Sequence, residues 1–449
     1  MQVVILAGGL GTRLDPTGKG IPKALRKVNG ITILEWQLRN IENLTTRIII
    51  LVGESHNLEF FQEEKDKLIS KYGFDITLIS EKNRLGTMGA IKAIETKLDR
   101  KFVVLLGDIL LDYPIEQSLS TLQKRIEFAA VVRVTDHPED SDIYEIDGKG
   151  KILSFSHYPH KNNLSDRPHL GLTGVFSCTK KFLRRVPAEK FIDIWEMLEI
   201  DYLKKQYIGL IFSFNKFKDV GTTKRLELAR EFVDTLNFET KSNVYFVDRD
   251  NTLIEDPNHN QKIELIYNSA LISELNLIKN IEHDSEFFLI TNQPSIAKGQ
   301  KSENEVIHEN QSVLRKLNLE RTLLRSFEYC PHHPESGHKG EITELKMHCF
   351  CRKPLPGMAF KLLNDFKISP KKIVVYGDSF FDFALSKNLL GEFRWIHFVD
   401  TKTTSNFYKR LKSYFSLSIK IARHYGLLES LRFHLYNFTN KGHKKVGYS

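Results

Sequence analysis

The sequence predicts an α/β protein with two domains, each built on a parallel sheet. A length of 449 residues suits two domains, and apolar strands alternate with helical patterns in both halves. The alternation is interrupted by a polar stretch at residues 239–243 and then restarts. We therefore expect domains at 1–240 and 241–400, followed by a basic tail at 401–449.

The first half contains four predicted strands separated by helical segments. Helices of this length between strands imply a parallel sheet with right-handed crossovers. Such sheets bind their ligands at the carboxyl ends of the strands. The strands are Val3–Leu6, Arg47–Val52, Asp75–Ile79 and Phe102–Leu106, and the helices are Ile33–Ile41, Leu58–Tyr72 and Met88–Leu98.

The first strand leads into a glycine-rich loop, AGGLGTRL at residues 7–14. Glycines let a backbone fold tightly around phosphates with its N–H groups pointing inward, and the cations that follow can neutralise phosphate charge. The loop lacks the G-x-G-x-x-G fingerprint and the GK[ST] ending, so alone it is a weak signal. The candidate phosphate-binding residues are Gly8, Gly9, Gly11, Thr12, Arg13 and Lys23.

Four segments together resemble the sugar-1-phosphate nucleotidyltransferases. They are GGLGTRL at 8–14 with PK at 22–23, LGTMGA at 85–90, LGD at 106–108 and KDVGT at 218–222. The resemblance covers residues 1–235 and implies a Rossmann-like, GT-A-like fold. It also implies a nucleoside triphosphate whose base lies near Gly86 and Thr87, a phosphorylated sugar, and Mg²⁺ bound by Asp108 and Asp219.

The chain departs from this family at two places. The family carries an F-x-E-K-P-like segment whose Glu contacts the sugar and whose Lys contacts its phosphate, but FSHYP at 155–159 has His157 and Tyr158 there. LTG at 172–174 likewise replaces an N-A-G-like sequence. Either sugar recognition is altered, or this half only binds a nucleotide and regulates the other half.

The second half begins with an apolar strand, Val244–Val247, that ends at Asp248-Arg249-Asp250. Two carboxylates two residues apart at a strand end can converge on one phosphorus atom. The first can attack it to form an aspartyl-phosphate, while the second protonates the leaving oxygen and later activates water.

Three more elements follow in order and, with D-x-D-x-T, resemble the four motifs of the haloacid-dehalogenase phosphatases. A strand at 287–290 leads to Thr291, RKP stands at 352–354, and a strand at 373–376 leads to Asp378. A last strand is predicted at Trp395–Phe398. The resemblance implies that Asp248 is the nucleophile and that Asp250 is the general acid and base. It implies that Thr291 and Lys353 bind the phosphoryl group and that Asn292 and Arg352 contact the substrate. It also implies Mg²⁺ ligands at Asp248, Asp250 and Asp378, with Asp382 supporting the site.

Three of the four cysteines lie in one loop of this half, in the order C-x-H, sixteen residues, C-x-C. Cys330, His332, Cys349 and Cys351 can close a tetrahedral shell around a structural Zn²⁺, with His333 the less suitable histidine. CPHHP, CRKP and TNQPSIAKG resemble the D-glycero-D-manno-heptose 1,7-bisphosphate phosphatases over 243–400. Histidinol-phosphate phosphatases share the zinc loop, so the loop alone leaves the substrate open.

The net charge of +9 suits anionic partners, but no known nucleic-acid-binding module is recognisable, so we expect none as a partner. Amphipathic helices at 408–414 and 419–435 would dock on the protein, form a homo-oligomer or lie on an anionic membrane. Cys178 is the remaining cysteine, so there is no disulfide framework, and we expect a cytoplasmic protein.

These features predict a bifunctional enzyme of nucleotide-activated heptose synthesis. One half would remove the C7 phosphate of a heptose 1,7-bisphosphate, and the other would transfer a nucleotidyl group, preferably GMP, to the heptose 1-phosphate. The alternatives are the same chemistries on another phosphorylated sugar or polyol, or a phosphatase with a regulatory nucleotide-binding half. The sugar, its anomer and the nucleotide stay open.

Overall fold

The structure is a computed structural model. It describes part of the chain, and the account below concerns that part only. The described residues are 1–9, 20–42, 44, 47–53, 58–122, 125–135, 141–146, 152–160, 169–198, 207–213, 216–236, 240–255, 265–319, 324–396, 414–422, 430 and 433.

The chain divides into two compact units at residues 239 and 240. The first unit contains thirteen described strands and six described α-helices. The strands are β1 (Gln2–Ala7), β2 (Lys27–Val28), β3 (Ile31–Thr32), β4 (Arg47–Val52), β5 (Asp75–Ser80), β6 (Lys101–Leu106), β7 (Ile109–Asp112), β8 (Phe128–Val134), β9 (Ile143–Ile146), β10 (Ile152–Ser156), β11 (His169–Thr179), β12 (Ile208–Phe212) and β13 (Lys216–Asp219). The helices are α1 (Ile33–Arg39), α2 (Leu58–Tyr72), α3 (Gly86–Ala93), α4 (Glu116–Ser120), α5 (Ile194–Met197) and α6 (Thr223–Leu236).

The main sheet of this unit is mixed. Its strands β6, β1, β4 and β5 are parallel neighbours in that order. Because helices cover a parallel sheet on both faces, its strands are expected to be apolar throughout, and Val3, Val4 and Ile5 of β1 are fully buried. On the other side of β6, strand β11 is antiparallel and leads to β8 and β9, an extension that the parallel prediction did not include.

Helices α1 and α2 are joined through one buried carboxylate. Glu35 on α1 accepts hydrogen bonds from Lys71 at 2.7 Å, Tyr72 at 2.8 Å and Lys67 at 3.2 Å, all on α2. Burial by itself raises the pKa of Glu35, but the bonds from Lys71, Tyr72 and Lys67 outweigh it and lower the pKa to about 2. Glu35 is therefore charged at neutral pH although its side chain is 2% exposed.

The second unit has a five-stranded sheet in the order β16-β15-β14-β17-β18, with every pair parallel. The first strand of the unit, β14, lies at the centre, between β15 and β17. Because these strands are parallel, their carboxyl ends lie at the same edge of the sheet. The strands are β14 (Thr240–Val247), β15 (Ser285–Asn292), β16 (Leu324–Cys330), β17 (Ile368–Gly377) and β18 (Glu392–Trp395). The helices are α7 (Ser269–Ile281), α8 (Pro294–Ala297), α9 (Glu303–Leu319), α10 (Gly357–Asp365) and α11 (Phe380–Asn388).

The described part of the basic tail packs on this second unit. Tyr414 contacts the ring of Trp395 at 4.9 Å, and Phe433 lies 6.2 Å from Phe393. Tyr414 and Phe433 are both buried. The tail helices were predicted at 408–414 and 419–435. The structure describes a helix at 414–422, which overlaps the end of the first and the start of the second, and most of the tail lies outside the described residues. Within the described parts of the chain, no helix is both long and apolar enough to cross a bilayer.

Candidate active sites

The first unit contains a cleft of about 250 Å³ at the carboxyl ends of β1 and β6, beside the start of α3. This is where a parallel sheet is expected to bind a ligand. Its wall combines glycine backbone, two cations and three carboxylates. The lining residues used below are Gly8, Gly9, Lys23, Glu81, Arg84, Gly86, Thr87, Asp108, Phe191 and Asp193.

A predicted phosphate-binding residue, Lys23, contacts a predicted Mg²⁺ ligand, Asp108, in the cleft. Lys23 Nζ lies 3.1 Å from Asp108 Oδ2, and both side chains are partly buried. Gly107, before Asp108, lies so close to β1 that an added Cβ would be 2.8 Å from the Leu6 carbonyl oxygen. Close packing of β6 against β1 therefore fixes Asp108 beside Lys23.

Asp219 is brought to the same end of the sheet by strand pairing. β13 pairs with β7 so that Asp219 lies opposite Ile109, and the Val220 N–H donates to the Asp108 carbonyl at 2.8 Å. The Asp219 carboxylate forms an ion pair with Arg225 at 2.5 Å. Each carboxylate predicted to bind Mg²⁺ thus already has a cation beside it.

Gly86 and Thr87, which we predicted to lie near the nucleotide base, take part in a structural contact. Thr87 donates from N and Oγ1 to Asp193 Oδ1 at 3.0 and 3.3 Å, and the Ile194 N–H donates to Thr87 Oγ1 at 2.6 Å. Gly86 has φ +71°, and an added Cβ would be 2.7 Å from the Ile192 carbonyl oxygen. These residues therefore fix α3 against the segment that carries Phe191 and Asp193 into the cleft.

The cleft also contains a carboxylate that the sequence analysis missed. Glu81 follows β5, and a Cβ on Gly8 would be 3.1 Å from Glu81 Oε2. Burial raises the pKa of Glu81, with Arg84 opposing it. Its position at the carboxyl end of a predicted parallel strand was the available signal. Gly8 and Gly9 line the cleft, whereas Gly11, Thr12 and Arg13 lie outside the described residues.

The segment that departs from the family is held by a carboxylate and an indole. Asp142 Oδ1 lies 2.7 Å from His157 Nδ1 and accepts the Tyr158 N–H at 2.9 Å. The His157 ring stacks on Trp195 at 4.3 Å. In the other departing segment, the Thr173 hydroxyl donates to the Val131 carbonyl and therefore points into the protein.

In the second unit, a buried lysine joins two aspartates at the converging strand ends. Lys353 is 4% exposed, and its Nζ lies 2.5 Å from Asp248 Oδ1 and 2.7 Å from Asp382 Oδ1. Burial lowers the pKa of Lys353, but these two carboxylates outweigh it and raise the pKa above its ordinary value. Lys353 is therefore a permanent cation beside the expected nucleophile.

Three carboxylates in this unit, Asp248, Asp378 and Asp382, form a group in which one oxygen from each lies within 4.8 Å of the others. Burial raises the pKa of Asp248; Lys353 opposes this, and the carboxylates of Asp382 and Asp378 add to it. Three carboxylates with one lysine leave two negative charges, and carboxylate oxygens are the ligands that Mg²⁺ prefers. The group therefore fits a divalent cation.

The membership of this group differs from our prediction in two respects. The Asp250 carboxylate does not belong to it, and Asp382, expected only as a support, does. Asp382 closes a capping box with Ser379 at the start of α11. Gly377 leaves room for it, because an added Cβ would lie 2.3 Å from the Cβ of Asp382.

Asp250 instead takes part in a hydrogen-bonded chain with the end of β15. Gln293 Nε2 donates to Asp250 Oδ2 at 2.8 Å and to Thr291 Oγ1 at 2.9 Å. Asn292, expected to contact substrate, uses its amide on the Lys353 backbone, accepting from N and donating to O at 2.9 and 3.2 Å. Gln293 lies in the TNQPSIAKG segment, but the sequence analysis gave it no role, because its two partners become neighbours only in the fold.

The four predicted zinc ligands converge in the second unit. Five of the separations among their Sγ and Nδ1 atoms are 3.3–3.7 Å, and all four atoms lie within 4.8 Å of one another. Three thiols and an imidazole at such distances fit a tetrahedral metal ion. His333 lies apart and contacts the Glu335 carbonyl. Arg352 Nη1 donates to the His332 carbonyl at 3.0 Å, so the cluster also orients Arg352.

With this geometry established, comparison with known proteins defines the class. A family model described as nucleotidyl transferase matches residues 2–235, more than half of the chain. The chain therefore belongs to the nucleotidyl transferase family, which confirms the Rossmann-like α/β fold predicted for the N-terminal half.

Three curated relatives make the relationship more specific. D-glycero-alpha-D-manno-heptose 1-phosphate guanylyltransferase of Campylobacter jejuni is 29% identical over 224 residues, 49% of this chain and 95% of that protein. D-glycero-alpha-D-manno-heptose-1,7-bisphosphate 7-phosphatase of Photorhabdus laumondii is 32% identical over 139 residues, 31% of this chain and 73% of that protein. Bifunctional protein GlmU of Methanococcus maripaludis is 29% identical over 167 residues, and the match spans only 37% of the length of that protein. The chain is thus related both to a heptose-1-phosphate guanylyltransferase and to a heptose-bisphosphate phosphatase, as predicted.

Proposed function

We propose that the chain is a bifunctional enzyme that makes a nucleotide-activated heptose in two consecutive steps. The observation that carries the proposal is the presence of both sites on one chain whose relatives carry these two activities. The product of the phosphatase step would be the substrate of the nucleotidyl transfer step.

In the phosphatase step, Asp248 attacks the C7 phosphorus of heptose 1,7-bisphosphate, and the bond from phosphorus to the sugar oxygen breaks. Asp250 gives its proton to the leaving oxygen, then takes a proton from the water that attacks the aspartyl-phosphate. Release of phosphate regenerates Asp248. Lys353 and Thr291 hold the phosphoryl oxygens. Mg²⁺ bound to Asp248, Asp378 and Asp382 would neutralise charge on the transferring group.

In the transfer step, an oxygen of heptose 1-phosphate attacks the α-phosphorus of a nucleoside triphosphate, and pyrophosphate leaves. The protein needs chiefly to align the anions and neutralise their charge. Lys23 supplies a cation in the cleft, and Asp108 and Asp219 are suited to bind Mg²⁺. The Zn²⁺ of the Cys/His cluster would be structural, because all four positions around it are filled by protein.

Glu81 supports GTP as the nucleotide. Guanine has two adjacent donors on one edge, N1–H and N2–H₂, and one carboxylate accepts both. Adenine has one donor beside an acceptor there, so it leaves a carboxylate oxygen unpaired, which is costly in a partly buried site. Glu81 and Arg84 both line the cleft, so the carboxylate is within reach of a base bound there.

The test is incubation of the purified chain with heptose 1,7-bisphosphate, Mg²⁺ and each of GTP, ATP, CTP and UTP. We expect release of phosphate, then of pyrophosphate with GTP. Asp248→Asn should stop phosphate release and leave pyrophosphate release from ready-made heptose 1-phosphate. Glu81→Gln should reduce the preference for GTP, whereas Glu63→Gln, on the exposed face of α2, should not.

Two results would replace this proposal with its alternatives. Phosphate release with no pyrophosphate from any pair of sugar 1-phosphate and triphosphate would make the N-terminal unit a regulatory nucleotide-binding domain. Activity of both units on a different phosphorylated sugar or polyol, with none on the heptose, would retain the chemistry and change the substrate. The altered His157-Tyr158 segment is the reason to include a panel of sugars.

A further inference from the structure

Both oxygens of the Asp250 carboxylate are fixed by neighbouring side chains. Arg249 donates from Nε to Oδ1 at 2.8 Å and from Nη2 to Oδ2 at 3.3 Å, and Gln293 donates to Oδ2 at 2.8 Å. A guanidinium that binds both oxygens sets the plane of a carboxylate, which a single hydrogen bond does not. The orientation of Asp250 therefore depends mainly on Arg249.

Arg249 is in turn held rigidly from helix α9. It is 1% exposed, and its Nη1 donates to Asn310 Oδ1 at 2.8 Å and to Glu309 Oε2 at 3.3 Å. Glu309 also pairs with Lys301 at 2.6 Å. All three guanidinium nitrogens are thus engaged. A buried arginine with this many partners has no rotamer freedom to lose when substrate binds.

We infer that Arg249 is a positioning residue of the phosphatase, acting through Asp250; the inference rests on the proposed phosphatase function. Among the described residues, Asp250 Oδ2 accepts two hydrogen bonds and Oδ1 accepts one, so Oδ1 retains a lone pair for proton transfer. Oδ1 gives its proton to the leaving sugar oxygen as the bond between that oxygen and phosphorus breaks. It takes one from water as the aspartyl-phosphate bond breaks. Arg249 keeps its own protons throughout.

Arg249, between the two aspartates, therefore serves the chemistry of the site as well as the packing of the unit. A solvent-exposed aspartate samples several rotamers, and displacement of a reacting group by about 1 Å costs about 100-fold in rate. Lysine at this position would keep the charge but lose the two-point contact.

A double-mutant cycle on the full chain tests this inference. Phosphate release from heptose 1,7-bisphosphate is measured for the wild type, Arg249→Lys, Asp250→Asn and the double variant. We expect kcat to fall about 100-fold in Arg249→Lys, with KM little changed, and about 1000-fold in Asp250→Asn. Because Arg249 acts only through Asp250, the double variant should be no slower than Asp250→Asn.

A purely structural role for Arg249 would instead multiply the two losses, and that result would overturn the inference. Unchanged kcat in a folded Arg249→Lys variant, checked by circular dichroism and zinc content, would also overturn it. Glu305→Gln is the matched control, since Glu305 is on α9 and bonds to Ser302 rather than to Arg249. If the wild type itself releases no phosphate from any sugar bisphosphate, the proposed phosphatase function fails. If the wild type is active and Arg249→Lys is equally active, only the inference about Arg249 fails.

Discussion

Replacement of Cys349 with serine should remove the zinc ion that we expect in the Cys/His cluster. In a regular tetrahedron the centre lies about 0.6 of an edge from each corner, so edges of 3.3–3.7 Å place a metal about 2.0–2.3 Å from its ligands. These are the lengths of Zn–N and Zn–S bonds. Serine offers no thiolate, so the variant should hold well below one zinc per chain.

Loss of this zinc should lower the phosphatase activity, because the Cys/His cluster positions Arg352. Its guanidinium is bonded to the His332 carbonyl, and Lys353, next in sequence, contacts Asp248. Without metal the loop loses its cross-link, and phosphate release should fall at least 10-fold. Cys178→Ser is the control, since Cys178 is buried in the first unit.

Metal analysis and X-ray absorption spectroscopy provide the assay. The wild type should contain about one zinc per chain, with three sulfur ligands at about 2.3 Å and one nitrogen at about 2.0 Å. Cys178→Ser should match it. Freshly purified, never-chelated wild type without zinc would refute this reasoning, as would full zinc and phosphate release in Cys349→Ser.

Three further predictions concern single side chains. Lys353→Met should leave Asp248 and Asp382 without their cation and lower the rate of phosphate release at least about 100-fold, while pyrophosphate release persists. Equal loss of both activities in a folded variant would argue against independent sites. Asp108→Ala should show the reverse pattern, and retained pyrophosphate release would exclude Asp108 as a metal ligand. Glu35, with its pKa lowered from 4.5 to about 2, stabilises the fold fully above pH 4.5 and loses this effect as the pH falls towards 2. Glu35→Gln should therefore lower the free energy of unfolding at pH 7 by about 2 kcal/mol, after allowance for the half-exposed lysines. In urea titrations, an equally steep acid dependence in the variant would contradict this.

The sequence was informative where one local pattern determines structure. Apolar runs predicted the four parallel strands of the first unit and β14, β15 and β17 of the second, and the helix Leu58–Tyr72 has the predicted bounds. Strand β16 was not predicted, and β18 ends at Trp395, where the predicted strand Trp395–Phe398 begins. Helix α3 ends at Ala93, before the predicted Leu98, because the chain continues as a 3₁₀ turn at Glu95–Lys97. The convergence of the Cys/His cluster followed from ligand chemistry, since few other arrangements suit three cysteines and a histidine in one loop.

Features that depend on distant contacts were not predictable in this way. The antiparallel strands beyond β6 arise from long-range pairing, which period-2 patterns do not specify. Asn292 has the sequence context of a substrate ligand, but its partner is the backbone of Lys353, sixty-one residues away. Arg249 occupies the unspecified middle position of the D-x-D pattern, and only the fold shows that Glu309 and Asn310 contact it.

The contact between the tail and strand β18 has a consequence for biosynthesis. Trp395 and Phe393 are covered by Tyr414 and Phe433, so the apolar face at this edge is complete only after residue 433 has been synthesised. Domains generally fold as units, and N-terminal ones fold first during translation. The nucleotidyl transferase unit can therefore fold on the ribosome while the second unit still exposes β18, the last of its described strands. Nascent chains stalled before Tyr414 would display that face to chaperones.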